Sequence, residues 1–188
     1  MKRIVLIDAS QRVRANSEII VNRVAKALSN EEVHVFRMKE QKFQYCTGCD
    51  ICQKSEELIC SRKDDITKLL PHIDTCDAIL IASPVYDHQM SSLAKLFIER
   101  FYAFYNPKAE NNSSVSKRKK KAAFVMCCWT GDKETYKKYA EWTLEGFWQI
   151  DATDTRAEIF NGLNEREEIL DRPDYLIRVQ EIADWLKA

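Results

Sequence analysis

Apolar residues in this chain fall into two patterns, short unbroken runs and longer stripes with helical spacing. Ile4-Val5-Leu6-Ile7 is a run that stops at Asp8, as a strand buried on both faces would. Residues 17–28 place Ile20, Val24 and Leu28 at i, i+4 and i+8 with Val21 and Ala25 beside them, which is one helical stripe. Asn16 or Ser17 stands where its cap belongs. Residues 33–36 alternate as a second strand, 65–73 predict a short helix, and 78–82 form a third buried strand ended by Ser83-Pro84. Residues 92–105 are helical again, with Leu93, Leu96, Phe97, Phe101 and Phe104 on one side. A polar loop follows over 106–120, then a strand at 122–128, a helix at 134–148, a weaker strand at 150–159 and a last helix at 173–186. Five strands alternating with five helices predict an α/β fold, a parallel sheet with helices on both faces.

Composition narrows the class. At 188 residues and 45% hydrophobic, residues 1–188 are expected to form a single domain. Twenty-nine basic and twenty-nine acidic residues cancel, so no net charge points to nucleic acid or an anionic membrane. The run Ser116-Lys-Arg-Lys-Lys-Lys121 reads as a solvated loop leading into a strand. No apolar run approaches a membrane span, and the first ten residues read as a strand rather than a signal peptide. Seven cysteines is an odd number; with nothing else suggesting export, the expectation is a cytoplasmic protein with reduced thiols.

Parallel sheets bind ligands in the loops beyond the carboxyl ends of their strands. That singles out residues 8–17, 38–64, 83–91 and 128–133. The first, Asp-Ala-Ser-Gln-Arg-Val-Arg-Ala-Asn-Ser over 8–17, combines hydroxyls, an amide and two cations at a helix start, a set suited to phosphate or to a capped, solvated turn. It has no glycine, so it is neither a P-loop nor a dinucleotide fingerprint. In the third, Ser83-Pro84-Val85-Tyr86 fixes an extended turn and sets an aromatic ring at the sheet's mouth, where a flat ligand could stack.

Strand 1 with its ASQR and ANS segments, the CTGCDIC loop, and ASPVY followed by KLFIER occur in one order over residues 3–131. Together they resemble the flavodoxin-like NAD(P)H-dependent FMN reductases, in particular the iron–sulfur flavoprotein branch. The resemblance implies a three-layer sandwich with a five-stranded parallel sheet in the order 2-1-3-4-5. It implies FMN with its phosphate at Ser10, Arg12, Asn16 and Ser17, and its ring against Ser83, Pro84, Val85 and Tyr86. A third contact falls at Trp129, Thr130 and Gly131. The family usually has glycines where this chain has Ala9 and Ala15, which would narrow the phosphate cradle, since glycine permits close approach and positive φ.

Cys46, Cys49, Cys52 and Cys60 read C-x2-C-x2-C-x7-C. Such spacing presents thiolates to one centre, either a [4Fe–4S] cluster or Zn²⁺, and the same loop serves flavin-only relatives as a metal-free pocket wall. Cys76, Cys127 and Cys128 fall in or beside core elements and read as packed thiols. Tyr102, Tyr105, Trp142 and Trp148 are expected in the core or on a dimer surface. By resemblance the protein is an FMN-dependent oxidoreductase that takes electrons from NAD(P)H and passes them to an unidentified acceptor. It is expected as a homodimer or larger homo-oligomer with no catalytic side chain of its own. Two other classes fit the residues: a non-enzymatic flavodoxin-like or iron–sulfur electron carrier, and a flavin-free metal-binding or sensor domain.

Overall fold

A computed structural model describes residues 1–107, 114–130 and 132–188. Five parallel strands, β1 (Arg3–Asp8), β2 (Glu32–Arg37), β3 (Ala78–Tyr86), β5 (Lys120–Cys127) and β6 (Ala152–Phe160), form a sheet in the order β2-β1-β3-β5-β6. A short β4 (Gln89–Met90) pairs antiparallel with the end of β3 and makes the sixth strand. The five long strands thus follow the expected order, and β4 is an addition to it.

Alternation along each strand explains why both faces are covered. Ile4 and Leu6 point to one face, Val5 and Ile7 to the other, and all four are buried. On the first face α1 (Asn16–Ala27) and α5 (Pro173–Lys187) lay Ile20, Val24, Val179 and Ile182 over the sheet. On the second face lie α2 (Asp65–Thr75), α3 (Ser92–Glu99) and α4 (Lys133–Glu145). There Phe101 meets Phe97 and Phe147 edge-on, each at 5.2 Å between ring centroids. Burying one such ring contributes about 1.5–3 kcal/mol, so these aromatic contacts fasten the end of α3 to the end of α4 in the core on this face.

Several boundaries depart from the pattern reading. The expected helices at 92–105 and 134–148 end early, tightening into 3₁₀ turns at Arg100–Phe104 and Gly146–Ile150. Ser83-Pro84 does not end β3: Pro84 pairs with Cys127 near the strand's end, and pairing with β4 carries the strand on to Tyr86. The cap of α1 is Ala15, with no side-chain bond; Glu18 reaches back to the Arg14 N–H at 2.9 Å instead. The lysine run is only partly a solvated loop. Lys120 is buried at the start of β5, its ammonium donating to Ile150 O at 2.6 Å. Trp142 and Trp148 are exposed rather than core. No helix among the described residues is long and apolar enough to cross a membrane.

Candidate functional site

The carboxyl ends of β1, β3, β5 and β6 converge on a cavity of about 200 Å³, at the point where the connections leaving the neighbouring strands β1 and β3 turn to opposite faces of the sheet. The β1 loop contributes Arg12, Ala15, Asn16 and Ser17, the β3 end Pro84, Val85 and Tyr86, and the β5 end Cys127 and Trp129. The Arg12 guanidinium lies 5.6 Å from the centre of the Tyr86 ring, linking the first two loops. Seven of the sequence-derived residues therefore meet in one place. Ser10 and Ser83 are fully buried behind it, Thr130 is exposed and outside the lining, and Gly131 lies outside the described residues.

Tyr86 is aimed by a two-residue hairpin turn. Asp87 (φ 47°) and His88 (φ 63°) both take the left-handed conformation, as a type I′ turn requires, without the usual glycine. His88 Nδ1 lies 3.3 Å from the Tyr136 hydroxyl, and the Tyr139 hydroxyl accepts from the Met90 N–H at 3.5 Å, so α4 braces the turn.

Most polar side chains of the β1 loop already have partners inside the protein. Ser10 Oγ accepts from the Arg12 N–H (3.0 Å), and Ser17 Oγ donates to Asp8 Oδ1 (3.2 Å). Asn16 Nδ2 donates to Glu165 O (2.8 Å), and its Oδ1 accepts from the Ile169 N–H (3.0 Å). The cations facing the cavity are Arg12 and Arg166. The missing glycines cost little conformationally. Ala15 sits at φ −71°, ψ 154°, open to any residue, and the left-handed position is Arg14 at φ 58°.

Residues 163–166 belong to none of the four loops singled out from the sequence, yet Leu163, Asn164, Glu165 and Arg166 form one wall of the cavity. Their position beyond the carboxyl end of a parallel strand was the available signal. Asn16, with the ion pair of Arg14 and Glu167, fastens this arm to α1. Asn16→Ala is expected to lower stability by about 1–3 kcal/mol, by leaving a buried N–H and a carbonyl unpaired. Thermal melting measures that loss, and limited proteolysis should cut faster within 161–169.

Below the loop, Asp8 is fully buried. Its Oδ1 accepts from the Ser10 N–H (3.1 Å) and from Ser17, while Oδ2 has no partner. Burial pushes its carboxyl up to about 6, against the opposing pull of the Ser10 N–H and the Lys39 charge. The three remaining cysteines are buried as expected; burial pushes the Cys76 thiol up to about 12 and Cys128 up to about 11, and Cys127 upward as well.

A second cavity is lined by Cys46, Cys49, Cys52 and Cys60 together with Arg62 and Arg100. All four thiols are free. Among the described residues no three metal-binding side chains close on one point. Cys49 Sγ and Ser61 Oγ are 3.0 Å apart, a contact that lowers the Cys49 thiol below its usual range, whereas burial raises Cys52. Arg100 Nη2 donates to Cys60 Sγ at 3.2 Å. Three buried polar atoms without partners belong to this neighbourhood: Gln53 Oε1, Arg62 Nε and Arg100 Nε. The two guanidinium nitrogens are donors and the Gln53 oxygen an acceptor; two unpaired buried donors beside four thiols are the setting for a group that accepts hydrogen bonds.

Comparison with known proteins gives the same direction. The chain resembles an iron–sulfur flavoprotein of Archaeoglobus fulgidus, 35% identical over 83 residues, which is 44% of this chain and 39% of that protein. A Methanocaldococcus jannaschii iron–sulfur flavoprotein is 27% identical over 100 residues, 52% of this chain and 51% of its own. The matches thus span about half or less of those relatives' length. Among solved structures, an NAD(P)H:quinone oxidoreductase from Methanothermobacter marburgensis superposes with a TM-score of 0.74 at 13% identity, covering 97% of each chain. An FMN-dependent NADH-azoreductase of Bacillus anthracis in complex with FMN gives 0.67 at 13% identity, over 98% of this chain and 99% of that one. At these identities the structures establish the flavodoxin-like fold. The family model for NADPH-dependent FMN reductase matches residues 2–134, most of the chain and every loop around the first cavity except the 163–166 arm, and the chain belongs to that family.

Proposed function

We propose that this protein, as one domain over residues 1–188, is an FMN-dependent NAD(P)H oxidoreductase. The supporting observation is the convergence of Arg12, Tyr86 and Trp129, from three separate loops, on one cavity at the sheet's switch point. The donor set suits FMN. Arg12 and Arg166 supply the charge a phosphate needs, and Pro84, Val85, Tyr86 and Trp129 supply flat apolar surface for a ring. Ser10, Asn16, Ser17, Ser83, Thr130 and Gly131 complete the proposed set, the first four by holding the loops in place. The cavity is smaller than the roughly 300–1,000 Å³ common for ligand sites, so the ring edge would stay open to co-substrate. Bound there, FMN would accept a hydride from the nicotinamide and deliver electrons to an acceptor; the protein supplies position and charge.

The cysteine cavity is proposed to hold a [4Fe–4S] cluster through Cys46, Cys49, Cys52 and Cys60. Relatives bearing the iron–sulfur flavoprotein name and the orphaned guanidinium donors support this. The exposed Tyr45 and Ile51 in the same loop support a homodimer contact there, in a cytoplasmic protein.

Tyr86→Ala and Arg12→Ala should each weaken FMN binding at least tenfold in a fluorescence titration; a charge-assisted contact or the burial of an aromatic ring is worth about 1.5–3 kcal/mol. Unchanged affinity in both variants removes the site. Rapid NAD(P)H oxidation with a soluble acceptor distinguishes a reductase from an electron carrier.

A further inference from the structure

Arg100 does more than pack. It is 1% exposed, yet its guanidinium makes five contacts: two with Asp64 (2.7 and 3.1 Å), and one each with Gln44 O (3.1 Å), Thr67 Oγ1 (2.9 Å) and Cys60 Sγ (3.2 Å). Asp64 in turn accepts from the Thr67 and Gln44 N–H groups, so carboxylate and guanidinium are locked from both sides. Its remaining donor, Nε–H, is buried without a partner, although the residue lines the cysteine cavity. Buried donors are as a rule engaged, so an orphaned Nε–H beside a second donor aimed at the fourth thiol of a C-x2-C-x2-C-x7-C set calls for an explanation beyond packing.

We infer that Arg100 is the positioning residue of the cysteine centre: it orients Cys60, the ligand furthest along the chain, and sets the centre's reduction potential. This rests on the cluster assignment above. Cys60 is separated from the CTGCDIC triplet by seven residues, so its place is not fixed by the turn that gathers the other three. The Asp64–Arg100 fork, anchored at the start of α2 and the end of α3, supplies that placement. Hydrogen bonds to ligand sulfur and nearby positive charge both favour the reduced form, which carries one more negative charge. Removing them lowers the potential.

The test uses the full chain, reconstituted without oxygen with ferrous iron and sulfide. Iron and sulfide are counted per chain, and the potential is read by titration with dithionite followed by electron paramagnetic resonance. Wild type is compared with R100K, which keeps the charge but not the fork, and with R100Q. The expected result is about four iron per wild-type chain, and a potential lowered in R100K and lowered further in R100Q. For R100Q the reduced-to-oxidised ratio at a given potential should fall at least tenfold, about 59 mV for one electron. If R100Q does not fold, R100K alone decides. Variants that bind iron at the wild-type potential overturn the role of Arg100 and leave the cluster standing. A wild-type chain that takes up no iron overturns both.

Discussion

Arg100→Met should destabilise the protein by about 3–5 kcal/mol, the usual loss when one partner of a buried ion pair is removed. Asp64 would lose two hydrogen bonds and its buried counter-ion, and the Gln44 carbonyl and the Thr67 hydroxyl would each lose a donor. Burial by itself would raise the Asp64 carboxyl; the Arg100 guanidinium and the Thr67 and Gln44 N–H groups overcome it and hold the carboxyl at about 2. In a protein of this size, the loss corresponds to a fall of roughly 6–20 °C in melting temperature. Replacing both partners, with Asp64→Leu added to Arg100→Met, should recover much of that loss, because no charge is then left buried alone. Denaturant melts of the two variants measure the difference. A single variant within 1 kcal/mol of wild type would mean that the pair does not hold α2 to α3. The pair also sets an acid limit. A carboxyl held at about 2 contributes stability above its unfolded value of 3.8, and that contribution disappears as pH falls from 3.8 toward 2.

Asp8→Asn is expected to act in the opposite direction. The folded protein keeps a proton on Asp8 up to about pH 6, whereas the unfolded chain releases it near 3.8. Between those values the native state holds more protons than the unfolded state, so stability declines as pH rises and stays lower above pH 6. The full difference is about 3 kcal/mol, from roughly 1.36 kcal/mol for each unit. Asparagine keeps an oxygen for the Ser10 N–H and carries no charge to bury. At pH 8 the variant should melt several degrees above wild type, and near pH 4 the two should nearly coincide. Melting curves across that range check the sign. A gain that did not depend on pH would show that the carboxylate charge is not its source. Removing a negative charge from behind the proposed phosphate loop should also tighten FMN binding at pH 8.

The two sites differ in how far they could be read from the linear chain. The strand-end loops carrying Arg12, Tyr86 and Trp129 were identifiable because buried parallel strands announce themselves as unbroken apolar runs, and ligands gather where those runs stop. The β3–β4 hairpin was not, because its turn is Asp87-His88 and carries none of the glycine or asparagine that usually marks a type I′ turn. The bracing tyrosines, Tyr136 and Tyr139, are some fifty residues away in sequence.

Asn16 shows the same limit from another side. Its place before a helix predicts a cap or a phosphate ligand, but its amide closes onto Glu165 and Ile169, about 150 residues away. Local propensity describes what a side chain could do with its neighbours in sequence; the segment leading from β6 to α5, packed beside α1, supplied a partner from elsewhere. Arg100 carried no local signal at all, since a charge at the end of an amphipathic helix reads as solvated, and only the approach of α2 turned it inward. The sequence by itself determined the order and type of the long elements, the family, and the four thiols in one loop, because those depend on periodicity and spacing within short windows. Tertiary structure decided which polar groups face a cavity and which are consumed in holding it. That outcome depends on contacts between segments far apart in the chain, and on every buried donor and acceptor needing a partner.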